Sequence, residues 1–341
     1  MSETIVSGLA DDANDIEEYK KQFKSFQVKE GEIPPPICTT YKTEIQGCKS
    51  DGKSHFISTM WELHPANPVF AKTIKGKANP KYDKRFDHVK YLLDKGFLKP
   101  AAPLWVLDGE GKFVMMSRKG LFRGKPIYYK DLFYPESKLP TYQDATKWVK
   151  EACKFLLMLN GMKEGAGCLE NSTMFTTMIQ TYVQYWLRDR DLKGADLGAL
   201  PAYGYEDWGI RNSIWDYAGG VIQRLPVHFG MSTRMGDKWE GGKPTDAVEG
   251  KRYKDLPHFF NIIMKIWRSE EETRTRFFGK VFASDFTPPG TPFPTMENPS
   301  YLKLVAIICK ESHAEQLEAF YAEQGTGPND YYHGDEIEVV A

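Results

Sequence analysis

The sequence predicts an α+β chain, with a short-stranded mixed N-terminal half and a predominantly helical C-terminal half of about five helices. Three observations predict it. Up to residue 140, short β-prone runs alternate with turns rich in Pro and Gly. From Thr141 onward, apolar residues recur at helical spacing. Composition is that of a chain that packs a core, with 41% hydrophobic and 27% charged residues.

Residues 1–30 read as an acidic arm with one helix from Asp12 to Phe26, and Pro34-Pro35-Pro36 stiffens the exit. Residues 31–140 form the mixed region. There Tyr41–Cys48 and Ser54–Trp61 read as strands around a turn at Lys49-Ser50-Asp51-Gly52-Lys53. A short helix is expected over Asp83–Lys95, stopped by Gly96. Pro103–Leu107 and Lys112–Met116 flank Asp108-Gly109-Glu110-Gly111, which carries the Asp-Gly hairpin signal.

Residues 141–325 read as the helical domain. Thr141 and Asp144 have capping-box spacing, and Trp148, Ala152, Phe155 and Leu159 follow on one face up to Gly161. Further helices are expected from Ser172, from Glu206 to Leu225, from Asp255, and from Asn298-Pro299 to Gly325. Their aromatic stripes are core faces. Gly236–Gly250 and Thr287–Pro294 are expected to be long loops. Residues 326–341 form an acidic tail.

Charge is partitioned along the chain. Between Ala71 and Lys130 there are 15 Lys and Arg against 5 Asp and Glu, within a chain of net charge −1. Residues 1–19 hold six acids and residues 311–341 hold eight, and neither stretch contains Lys or Arg. A basic stretch of this density attracts polyanions when folding gathers it on one surface. Two sub-segments fit best: Lys72, Lys75, Lys77, Lys81, Lys84 and Arg85, then Arg118, Lys119, Phe122, Arg123, Lys125, Tyr128 and Lys130. Cations interleaved with aromatics suit single-stranded nucleic acid, through phosphate neutralisation and base stacking. The bland alternative is a solvated face paired with acids elsewhere.

No membrane span is expected, because no apolar run approaches the required length. The acidic N-terminus lacks signal-peptide character, and five scattered cysteines suit a cytoplasmic or other reducing compartment, including a virion or nucleoprotein particle. No cofactor is expected. The chain is read as having no Walker A lysine loop, dinucleotide fingerprint, zincin motif or nucleophile elbow. Cys38, Cys48, His55 and His64 lack the tight pair spacing of zinc fingers, so no metal is assigned. These features favour a non-enzymatic, self-assembling nucleic-acid-binding protein of coat or nucleoprotein type, forming a homo-oligomer. The alternatives are an enzyme whose site is assembled from distant residues and an intracellular interaction scaffold.

Overall fold

The computed structural model describes residues 39–133, 140–187, 205–240, 243–250, 255–271 and 274–332. The acidic arm 1–30 with its helix Asp12–Phe26, and the tail beyond Tyr332, lie outside the described residues.

In chain order the strands are β1 (Lys42–Gly47), β2 (Thr73–Ile74), β3 (Lys77–Ala78), β4 (Leu104–Asp108), β5 (Ile127–Asp131), β6 (Ala166–Glu170), β7 (His228–Glu240), β8 (Lys243–Gly250), β9 (Ile262–Glu270), β10 (Thr275–Ser284) and β11 (Met296–Glu297). The helices are α1 (Lys53–Ile57), α2 (Phe86–Asp94), α3 (Lys112–Arg118), α4 (Tyr142–Asn160), α5 (Ser172–Leu187), α6 (Tyr205–Arg224), α7 (Tyr301–Ser312), α8 (Ala314–Gln324) and α9 (Asn329–Tyr332). One sheet runs β11-β10-β9-β1-β7-β6-β4-β5, and β8 pairs with the distal part of β7. From β9 through β5 every neighbouring pair is parallel. β10 and β11 are antiparallel additions at one edge.

This corrects the expected α+β class. The chain is an α/β protein whose sheet draws strands from both halves, so the first half is not a separate short-stranded region and the second is not mainly helical. Parallel strands need crossovers, which put helices on both faces and bury both faces of each central strand. Side chains of β4 accordingly alternate between two cores. Leu104 and Val106 join Phe56, Val89, Tyr301 and Leu304, while Leu107 joins Trp148, Met178, Trp215 and Ile222. The first core lies under α1, α2, α7 and α8, and the second under α4, α5 and α6.

Particular assignments fail for identifiable reasons. Ile262, Ile263, Ile266 and Trp267 fit a helical stripe, but Ile262, Met264 and Ile266 are the buried set of β9 and repeat every second residue. The Asp108–Gly111 segment does not close a hairpin. Asp108 accepts from the backbone N–H groups of Glu110, Lys112, Phe113 and Val114 and starts α3, so Lys112–Met116 is helix. The expected loop Gly236–Gly250 is built mostly of β7 and β8.

Other expectations hold. α2 and α6 fall where helical spacing puts them, and α4 begins with the anticipated capping box. Asp144 Oδ2 accepts from Thr141 N at 3.1 Å, and Asp144 N donates to Thr141 Oγ1 at 3.3 Å. Thr141→Ala is expected to cost about 1 kcal/mol of stability in chemical denaturation, the usual worth of an N-cap.

β1 is central and yet polar. Lys42 is 3% exposed, and its Nζ donates to Thr40 Oγ1 and to the carbonyls of Leu225 and Val227, which ties β1 to the segment entering β7. Glu44, also buried, accepts from Thr233 Oγ1 at 2.8 Å, and Ser172 Oγ lies 2.8 Å from the same hydroxyl. Hydrogen bonding of this kind makes burial of polar side chains tolerable. It also links the ends of β1, β7 and β6. No helix among the described residues is long and apolar enough to cross a membrane.

Candidate functional site

In open parallel sheets, ligands bind at the carboxyl ends of the strands. Here that edge brings together Gly47, Arg234, Asp108 and Glu170. Gly47 is level with Arg234, and Asp108 is level with Glu170.

The chain leaves β1 at Gly47, turns through Cys48–Gly52, and enters α1 at Lys53. Gly47-Cys48-Lys49-Ser50-Asp51-Gly52-Lys53-Ser54 has the spacing G-x-x-x-x-G-K-S. It is therefore a Walker A lysine loop in its strand–loop–helix context. The expectation that no such loop exists is corrected, as is the strand expected at Ser54–Trp61, which is α1 followed by a 3-10 turn. The loop imposes its own residue types. A Cβ on Gly47 would sit 2.6 Å from the Ile266 carbonyl oxygen, and Gly52 has φ 92°, a left-handed conformation that favours glycine. Cys48 N donates to Asp51 Oδ2 and so closes the turn.

Lys53 lies inside the loop, donating from Nζ to the carbonyls of Gly47 at 2.8 Å and Cys48 at 2.6 Å. Burial pushes its pKa down, opposed by the charges of Glu170, Glu110 and Asp51. Ser54 Oγ donates to Glu170 Oε1 at 2.8 Å. Burial, with Glu110 and Asp108 nearby, pushes the Glu170 carboxyl up to about 8. Its Oε2 is buried without a hydrogen-bond partner among the described residues. An orphaned carboxylate oxygen beside a serine hydroxyl offers hard oxygen donors of the kind magnesium takes. Glu110 accepts from Arg234 Nε at 2.7 Å, an ion pair between the loop after β4 and the end of β7. Lys53, Ser54, Glu110, Glu170 and Arg234 line one open cavity of about 480 Å³.

Sequence reasoning missed all five of these residues. Lys53 and Ser54 had a local signal in the glycine–lysine–serine spacing. Glu110, Glu170 and Arg234 had none, because their partners are 116 and 124 residues away.

The basic residues singled out from the sequence are spread over several surfaces. Lys75 and Lys77 lie on the β2–β3 hairpin, whose residues are exposed, and Lys72 pairs with Asp87 at 3.6 Å. Lys84 donates to the Asp330 carbonyl and lies over the Tyr331 ring, and Arg85 pairs with Asp83. Lys130 pairs with Glu151, Tyr128 stacks on Trp105, and Phe122 is buried against Phe113. Arg118 and Arg123 are exposed near the end of α3. One member of each sub-segment lies near α1. His55 has its pKa lowered by burial and then by the charges of Lys125 and Lys81, so both lysines stand near it. Lys119 lines the cavity with the Walker loop.

This constellation overturns the expected non-enzymatic coat or nucleoprotein assignment, and with it the structural-protein and virion readings. A buried lysine and a buried carboxyl, the latter bound by a half-buried serine, line an open cavity at the carboxyl ends of a parallel sheet, an arrangement that packing between copies of a coat protein does not call for.

No family model and no curated protein sequence matches the chain. Among solved structures, a KaiC-like protein of the archaeon Pyrococcus horikoshii is 10% identical with a TM-score of 0.34, covering 75% of this chain and 84% of that one. The flagellar accessory protein FlaH of Methanocaldococcus jannaschii is 10% identical with a TM-score of 0.32, covering 76% and 85%. The RadB recombinase is 8% identical with a TM-score of 0.34, covering 75% and 86%.

Proposed function

We propose that the protein binds a nucleoside triphosphate on the Gly47–Ser54 loop and hydrolyses its terminal phosphoanhydride. The observation that carries this reading is the G-x-x-x-x-G-K-S segment folded between β1 and α1, with Ser54 held on buried Glu170. Backbone N–H groups of such a loop cradle the phosphates, and the lysine reaches the β- and γ-phosphates. Lys53 would exchange the Gly47 and Cys48 carbonyls for phosphate oxygens. Ser54 and Glu170 would hold magnesium, which supplies positive charge against the phosphate oxygens.

Glu110 is the carboxylate suited to orient the attacking water, and Arg234 fixes its position. Water adds to the γ-phosphorus, the bond to the β,γ-bridging oxygen breaks, and the nucleoside diphosphate, inorganic phosphate and a proton leave. A nucleic-acid partner, self-association and a reducing intracellular setting accompany this reading. The basic stretch 71–130 supports the first of these.

Phosphate release by the full chain tests it. Release from magnesium–ATP or magnesium–GTP is expected, with loss on chelation by EDTA. Glu170→Gln is expected to lower the rate on the order of 100-fold or more while retaining nucleotide binding. Release that is unchanged in EDTA, or absent with every nucleoside triphosphate, would overturn the assignment.

A further inference from the structure

Three lysines lining the cavity have no part in the roles described above: Lys49 in the loop itself, and Lys112 and Lys119 across from it. α3 presents Lys112 and Met116 to it, at i and i+4 on one helix face, and Lys119, the residue that caps the C-terminus of α3, lines it as well. Neither the Lys112 nor the Lys119 ammonium has an ion-pair or hydrogen-bond partner among the described residues. Two other cations of the same basic stretch are engaged. Lys130 pairs with Glu151, and Lys125 lies over the Trp61 ring at 5.7 Å.

The N-terminus of α3 is likewise occupied, since Asp108 accepts from its first N–H groups, so an anion approaching α3 meets the lysines and not the helix end. Of the carboxylates lining the cavity, Asp51 is bound to Cys48 N, Glu110 to Arg234 and Glu170 to Ser54. None of these is bound to Lys112 or Lys119.

Phosphoryl transfer spreads negative charge over the oxygens of the transferring group, and a cationic finger supplied in cis or in trans stabilises it. We propose that α3 and its C-terminal cap provide this finger in cis, with Lys112 and Lys119 bearing on the terminal phosphates bound to the Gly47–Ser54 loop. The proposal rests on the nucleoside triphosphate reading above. Lys112 is two residues from Glu110, so water orientation and charge stabilisation would come from one short segment after β4. Because the finger belongs to the same chain, turnover per molecule is independent of protein concentration.

The test compares the full chain with Lys112→Ala, Lys119→Ala and the double variant, measuring ATP affinity and steady-state phosphate release separately. Lys112 is half-buried and Lys119 exposed, so the variants fold, and retained ATP binding confirms it. The double variant is expected to lose kcat on the order of 100-fold or more, with ATP affinity changed by less than about 3-fold. Lys112→Arg should restore much of the rate. Specific activity of the unchanged chain should stay constant over about a 100-fold range of concentration, as an in-cis finger requires. A double variant with unaltered kcat, or specific activity that climbs with concentration, overturns the α3 finger while leaving the nucleotide site standing. Failure of the unchanged chain to bind ATP at all overturns both.

Discussion

Lys53→Ala is expected to weaken nucleoside triphosphate binding by about 100-fold. Lys53 is 8% exposed, and its ammonium lies in the turn that wraps the phosphates, held by two carbonyls of that turn. Charge-assisted hydrogen bonds to a phosphate contribute up to about 3 kcal/mol, which corresponds to about two factors of ten in affinity. The substitution also removes a buried charge that desolvation disfavours, so it takes little from the fold itself. Equilibrium dialysis with ATP checks it. An affinity unchanged in the variant would show that the loop does not hold the phosphates.

Trp215→Ala is expected to be the most damaging single truncation to stability, at about 3–5 kcal/mol. Trp215 is fully buried in α6, and its ring meets Phe175 of α5 edge-on at 4.9 Å. It joins the helices of one face to the core that includes Leu107 and Met231 of the sheet. A domain has only about 5–15 kcal/mol in total, so the variant should unfold at much lower urea. A loss below about 1 kcal/mol would mean that this layer collapses readily around the missing ring.

The helices on that face were legible in the sequence because each has one buried and one exposed side. α4 therefore shows the 3.6-residue period, and Thr141 announces its cap with a local hydrogen-bond pair; α6 was legible in its bounds, but its buried face is Trp215, Ala218 and Ile222, while Tyr217 is exposed. The sheet was far less legible. β1 is its topological centre, yet it reads Lys-Thr-Glu-Ile-Gln-Gly, since its polar side chains are satisfied by partners distant in sequence. β9 is buried by alternation that adjacent isoleucines disguise as a helical stripe.

The site was half legible. Gly47 to Ser54 carries a complete local signature, obscured by reading Ser54–Trp61 as strand when the loop feeds a helix. Glu170 and Arg234 join it only through parallel strand pairing, which no local pattern announces. The basic stretch, prominent in one dimension, divides in three. Lys84, Arg85 and Lys130 bind within the fold, while Lys112 and Lys119 face the cavity.

Amide hydrogen exchange of the full chain with and without magnesium–ATP tests the central claim most directly. The backbone N–H groups of Cys48–Ser54 are expected to slow on adding nucleotide, and α1 with them, because those groups receive the phosphates. Binding of ATP with exchange unchanged across 47–57 and protection elsewhere would place the nucleotide on another surface and contradict the account.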